Sequence, residues 1–203
     1  MIGVLDYGMG NIASVINTLE YIGKEVSIVS SPNDFDGISH LIIPGVGAYK
    51  TAMINIQERG FVEPIKNFAA SKKPILGICL GMQLLSSTGS EPTMCDGLNL
   101  IPGHVEKISE TDIRVPHVGW NNLKISDEDH PLFDFCKKNI DYYFVHSYRF
   151  VPESKQSILG TSNYGKEFAS IIGKGNVIGI QFHPEKSQKN GLQLLKNFIS
   201  INA

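Results

Sequence analysis

Pro74-Ile75-Leu76-Gly77-Ile78-Cys79-Leu80-Gly81-Met82-Gln83-Leu84-Leu85 decides how this chain folds. Its first five residues form a short apolar run of the kind a fully buried strand requires, and Leu80 to about Ser86 reads as a helix. Between the two lies Gly77-Ile78-Cys79-Leu80-Gly81, the Gly-x-nucleophile-x-Gly form of a sharp strand-to-helix turn, with cysteine where many hydrolases place serine. Such a turn pushes its central side chain outward at the carboxyl end of a strand. Cysteine is reactive as the thiolate, a form favoured by the unpaired N–H groups and dipole of a helix's first turn.

Outward from this turn, the N-terminal half alternates strand and helix. Ile2 to Leu5 is a short apolar run, followed by Ile12, Val15, Ile16, Leu19 and Ile22 at the spacing of one helix face. Val26 to Val29 stops at Ser30-Ser31-Pro32-Asn33, and Leu41-Ile42-Ile43 stops at Pro44-Gly45-Val46-Gly47. Residues from about Ala48 to Lys73 read as one or two helices. This βαβ rhythm predicts an α/β fold with an open, mostly parallel sheet flanked by helices. From Gly97 onward the rhythm changes to strand-like pieces, Val105 to Ile108, Tyr142 to Val145, Phe168 to Ile172 and Val177 to Phe182, which predict an antiparallel extension. Gln188 to Ile201 closes the chain as a helix with Leu192, Leu195 and Ile199 on one face. No linker or repeat divides the sequence, so residues 1–203 are expected to form a single domain.

Composition narrows the function classes. A formal net charge of -2 without a long basic run argues against nucleic acid or an anionic membrane as the main partner. Cys79, Cys95 and Cys136 are too few, and wrongly spaced, for a disulfide framework or a zinc knuckle. Cys95 and Cys136 read as ordinary thiols. His40, His104, His117, His130 and His146 are scattered without metal-ligand spacing and read as structural. With no basic n-region and no apolar run near the ~20 residues that span a bilayer, a cytoplasmic protein is expected.

The chemistry gathers at turns. Asp6 to Asn11, Pro44 to Gly47 and Gly77 to Gly81 each follow a strand directly, and in open α/β sheets reactive groups collect at such ends. If the three strands are neighbours, their turns surround one crevice with Cys79 at its floor. Phe182-His183-Pro184-Glu185 ends another apolar run and supplies a base and an acid. Glu185, set back by Pro184, can orient His183 and stabilise its cationic form. The Leu80 N–H and an N–H from Gly45, Val46 or Gly47 would make an oxyanion hole. Gly8-Met9-Gly10-Asn11 lacks both the dinucleotide spacing and the P-loop lysine, which excludes nucleotide binding there.

The chain resembles the class I glutamine amidotransferases, and among them the glutaminase subunits of imidazole glycerol phosphate synthase. The resemblance is carried by Asp6-Tyr7-Gly8-Met9-Gly10-Asn11, Pro44 to Ala48, Leu76 to Leu85, Pro116-His117-Val118-Gly119-Trp120-Asn121, Tyr143 to Tyr148 and Gln181 to Ser187. It implies the class I amidotransferase fold and a Cys79, His183, Glu185 triad that releases ammonia from L-glutamine through a γ-glutamyl thioester, with no metal or organic cofactor. It further implies that Gln83, Glu91, Ser147, Tyr148 and the backbone of Gly47 hold the glutamine. A peptide in Pro44 to Gly47 would turn over before its N–H faces the oxyanion. The implied partner is a TIM-barrel cyclase subunit in a heterodimer, contacted at or near Asn11, Trp120, Asn121, Tyr143 and Lys186, with Trp120 read as a buried aromatic anchor.

Alternatives remain open on sequence alone. Ser86-Ser87-Thr88-Gly89-Ser90-Glu91-Pro92 keeps Glu91 but thins the acidic run common in this family, which admits a paralogue feeding a sugar-amidating synthase of surface polysaccharide synthesis. A cysteine hydrolase acting alone and a non-catalytic regulatory module are the other classes.

Overall fold

The computed structural model describes residues 1–136 and 140–201. Strands are β1 (Ile2–Leu5), β2 (Val26–Val29), β3 (His40–Ile43), β4 (Ile75–Ile78), β5 (Thr88–Gly89), β6 (Cys95–Asp96), β7 (Gly103–Lys107), β8 (His117–Ile125), β9 (Ile140–His146), β10 (Tyr148–Pro152), β11 (Ile158–Tyr164), β12 (Lys166–Lys174) and β13 (Val177–Ile180). Helices are α1 (Ile12–Tyr21), α2 (Tyr49–Glu58), α3 (Val62–Ala70), α4 (Leu80–Leu84) and α5 (Gln188–Ser200). Among the described residues the main sheet has 9 strands in the order β2-β1-β3-β4-β13-β12-β11-β8-β9, parallel from β2 to β13 and antiparallel beyond.

The parallel strands are apolar throughout because both faces are covered. In β3, Leu41 and Ile43 join a cluster with Tyr49, Ile56, Ile65, Phe68 and Met82 from α2, α3 and α4, while Ile42 joins the opposite cluster. That opposite cluster contains Val15 and Leu19 of α1 and Leu194, Leu195 and Phe198 of α5. Strand alternation thus sends successive side chains to two cores. A Cβ at Gly81 would overlap the Ile43 carbonyl, so only glycine lets α4 pack this closely on β3.

Three expectations are revised. Val177 to Phe182 is no part of an antiparallel extension: β13 pairs parallel with β4 and belongs to the parallel half, although it also pairs antiparallel with β12. Val105 to Ile108 lies in a second sheet, ordered β10-β7-β5-β6, rather than in the main one. Helix α4 stops at Leu84. The second sheet is braced by Arg149, 4% exposed, whose guanidinium donates to Glu106 and Glu110 at 2.7 Å each and so ties β10 to β7 and the segment after it. A buried guanidinium needs such carboxylates, and here it fixes the strand that begins with Tyr148.

Candidate active site

The carboxyl ends of β1, β3, β4 and β13 lie side by side, because those strands are sequential neighbours in the sheet. Their four following turns carry Tyr7 to Asn11, Pro44 to Gly47, Cys79 and His183. Cys79 has φ 54° and ψ -108°, a backbone conformation that L side chains rarely adopt. The turn is held there by the Cys79 N–H, which donates to Ile180 O at 2.8 Å. Only 6% of Cys79 is exposed, and its Sγ lies 3.7 Å from Val145 O and 3.8 Å from Gln181 Nε2.

His183 Nδ1 is 2.8 Å from Glu185 Oε1, and both side chains are almost fully buried. The 3-10 turn Pro184–Lys186 folds the chain back so that a carboxylate two residues on reaches the ring. The His183 N–H donates to Tyr143 O at 2.9 Å, and the Ser187 hydroxyl donates to His183 O at 2.6 Å while accepting from the Tyr143 N–H at 3.0 Å. Burial opposes a charge on His183, but the Cys79 sulfur and then the Glu185 carboxylate outweigh it and push the imidazole up to about 10. An imidazole with that proton affinity can take the thiol proton. His183 Nε2 makes no hydrogen bond in this resting geometry, which leaves it free to exchange a proton with a reacting group.

Above the sulfur is a cavity of about 450 Å³ lined by Val46, Gly47, Leu80, Gln83, Glu91, Pro116, Val145, His146, Ser147 and Tyr148 among others. Gln83, Glu91, Ser147, Tyr148 and Gly47, which lie up to a hundred residues apart in sequence, share this one space with Cys79. Glu91 Oε2 accepts from the Tyr49 N–H at 3.1 Å, at the first turn of α2, and burial raises the Glu91 carboxyl. Burial and then the charge of Glu91 raise the Tyr148 phenol, consistent with the two facing one volume. Gln83 Nε2 donates to Tyr148 O at 3.1 Å and to Gln181 Oε1 at 3.2 Å.

The groups expected to form an oxyanion hole lie together but do not aim N–H groups at one point. The Leu80 N–H donates to Gly45 O at 3.4 Å, so a carbonyl rather than a second N–H faces it. Pro44 O is held by the buried Tyr7 hydroxyl at 2.8 Å. A Cβ on Gly45 would overlap that hydroxyl, which is why the turn has glycine there.

A family model for "Glutamine amidotransferase class-I" matches residues 3–201. The chain belongs to the class I glutamine amidotransferases. Within that family it is 45% identical over 197 residues to the imidazole glycerol phosphate synthase subunit HisH of Moorella thermoacetica, covering 97% of this chain and 93% of the relative. It is 47% identical over 203 residues to the protein of the same name from Sulfurimonas denitrificans, covering 98% and 97%. The amidotransferase fold is also that of the PurLQS structure from Thermotoga maritima, with a TM-score of 0.79 at 22% identity, covering 98% of this chain and 96% of that one.

The residues expected at an amidotransferase partner face are partly gathered. Trp120 and Tyr143 are opposite each other on β8 and β9, rings edge to face at 6.0 Å, and the Lys186 ammonium sits 6.0 Å from the Tyr143 ring centre. Asn121 adjoins Trp120 but turns its amide inward to His117 and Asn163. Asn11 precedes α1, which packs on the 3-10 turn carrying Lys186. Trp120 is 48% exposed, beside Val118 at 55%. Pro116, Val145, Gln181 and Ser187 went unassigned in sequence because their polar or lining roles arise from strand pairing rather than from a motif.

Proposed function

We propose that this chain is a glutaminase subunit that hydrolyses L-glutamine and passes ammonia to a TIM-barrel cyclase making imidazole glycerol phosphate in histidine biosynthesis. The observation that carries this reading is the single cavity in which Glu91, Gln83, Ser147 and Tyr148 face the Cys79 sulfur. The synthase-subunit relatives support the histidine branch over a sugar-amidating one. In the reaction, His183 takes the thiol proton and the Cys79 sulfur attacks the glutamine side-chain carbonyl carbon. The C–N bond then breaks, the nitrogen collects the proton from His183 and leaves as ammonia, and a thioester remains. Water, deprotonated by His183, cleaves the thioester to glutamate. Glu185 keeps the imidazole oriented and stabilises its cation throughout.

The resting turn cannot support the first step well. The developing oxyanion needs N–H groups, and Gly45 O both occupies the Leu80 N–H and repels negative charge. Turning over the Gly45–Val46 peptide would release Leu80 and present the Val46 N–H. The exposed Trp120, Tyr143 and Lys186 surface is the proposed docking face for the cyclase, as part of a heterodimer. The isolated chain is therefore expected to hydrolyse glutamine slowly and to accelerate about 10²- to 10³-fold when a cyclase carrying its ligand is added, the value of one oxyanion donor. Equal rates with and without cyclase would refute the coupling. Restoring growth of a histidine-requiring strain that lacks only this subunit tests the pathway.

Glu91 is proposed to pair with the α-ammonium of glutamine. Glu91→Gln is expected to raise KM for glutamine roughly 10- to 100-fold with a smaller change in kcat, since a charge-assisted hydrogen bond contributes about 1.5–3 kcal/mol. An unchanged KM in steady-state assays would remove Glu91 from the substrate site.

A further inference from the structure

Tyr148 O is the shared acceptor of two hydrogen-bond chains, one that comes from β8 and one that leads to Cys79. It accepts from His146 Nδ1 at 2.8 Å and from Gln83 Nε2 at 3.1 Å. A carbonyl oxygen can only accept, so His146 carries its hydrogen on Nδ1 and Gln83 presents its nitrogen. His146 Nε2 is then an acceptor, and the 2.9 Å contact to His117 Nδ1 requires the hydrogen on the latter. His117 Nε2 in turn accepts from Asn121 Nδ2 at 3.2 Å, and the same amide donates to Asn163 O at 2.9 Å. Every ring nitrogen therefore has one assigned role. Both rings must be neutral, because a second proton on either would set two donors face to face. Burial holds them so, lowering His117 to about 4 and His146 to about 3. His117 is also clamped between the Tyr164 ring at 3.9 Å and the Phe144 ring at 4.9 Å.

In the other direction Gln83 uses its second N–H on Gln181 Oε1 at 3.2 Å. This leaves the Gln181 nitrogen toward Cys79 Sγ, 3.8 Å away. Gln181 is fully buried, and its side chain is held at both ends, by Gln83 at the oxygen and by the sulfur at the nitrogen. The flipped amide would place an oxygen against the sulfur. On the opposite side the Val145 carbonyl suits a thiol hydrogen but repels a thiolate. A donor from Gln181 is what offsets that carbonyl once the proton has moved to His183.

We propose that Gln181 is a further catalytic residue whose Nε2–H hydrogen-bonds the Cys79 sulfur and stabilises its thiolate. Gln83 is a positioning residue: held by the Tyr148 carbonyl, it presents an N–H to Gln181 Oε1 and so sets the direction of that amide. The inference deepens the glutaminase reading and rests on Cys79 being its nucleophile. The titratable groups near the sulfur are His183, with Glu185 behind it, and Tyr7. Protonated His183 is itself a donor to the thiolate, and Gln181 adds a neutral one that does not depend on the histidine's charge.

The test is the pH profile of Cys79 alkylation by iodoacetamide in the intact chain, with Cys79→Ala giving the background from Cys95 and Cys136. It needs neither glutamine nor a partner, so its result is separate from failure of the glutaminase assignment. In Gln181→Met, which keeps length but removes the donor, the midpoint is expected to rise by about one pH unit, a tenfold loss of thiolate at a pH below it. Gln181→Leu, which removes the same donor with a branched side chain, is expected to move the midpoint in the same direction. A folded Gln181→Met with the wild-type profile would overturn the proposal. Should Gln181→Met fail to fold, Gln181→Leu decides: a wild-type midpoint in that variant overturns it.

Discussion

Cys79→Ala is expected to reduce glutamine hydrolysis by about 10⁴-fold or more, to the level of background, in a coupled glutamate assay with the cyclase present. The loss is chemical, because among the described residues Cys79 supplies the only thiol that lines the cavity shared with Glu91 and Gln83. The fold should survive, since the substitution removes one buried sulfur whose two polar contacts are long. A companion variant separates chemistry from strain. The backbone at φ 54°, ψ -108° costs a side chain about 1–3 kcal/mol, and glycine occupies it freely. Cys79→Gly is therefore expected to be as inactive as Cys79→Ala but to melt higher. Retained activity in the alanine variant would remove Cys79 from the mechanism; a lower melting temperature for the glycine variant would show that the elbow stores no strain.

Gly81→Ala is expected to have the largest effect on stability. Its methyl would coincide with the Ile43 carbonyl, a backbone group of β3 that cannot swing aside, so α4 must lift off the sheet. Overpacking of this kind costs about 3 kcal/mol or more, against a total stability on the order of 5–15 kcal/mol. For a chain of this size that is a fall of roughly 6–12 °C in melting temperature, or insoluble expression. Lifting α4 also moves the Leu80 N–H, so any folded fraction should show reduced kcat. A melting temperature within about 2 °C of wild type would mean that the close approach of α4 to β3 is relaxed in solution.

Much of the parallel half was readable. Ile2 to Leu5, Leu41 to Ile43 and Ile75 to Ile78 are continuous apolar runs, and a strand covered on both faces has no other sequence signature. The antiparallel half was harder. Strand β8 alternates buried His117 and Leu123 with exposed Val118 and Asn122, so it carries polar residues at positions that only a partner strand makes regular. Strand β13 was misplaced because Val177 to Ile180 looks the same whether its neighbour runs parallel or antiparallel. Trp120 and Val118 share the exposed face of β8, a placement that depends on strand register and is not legible in the residue types.

Local sequence was enough to place Cys79 on a sharp strand-to-helix turn and a carboxylate two residues after His183. These are local: chain geometry over a few residues fixes Gly-x-Cys-x-Gly as an elbow and His183-Pro184-Glu185 as a folded-back pair. Only the tertiary structure decided that β4 and β13 are adjacent, which brings Cys79 and His183 to one crevice, and that Gly45 presents its carbonyl rather than an N–H to Leu80. It alone also turned His117 and His146 from scattered histidines into a directed pair. Peptide orientation and hydrogen-bond direction depend on which acceptor lies across a strand gap, and no pattern along the chain encodes that.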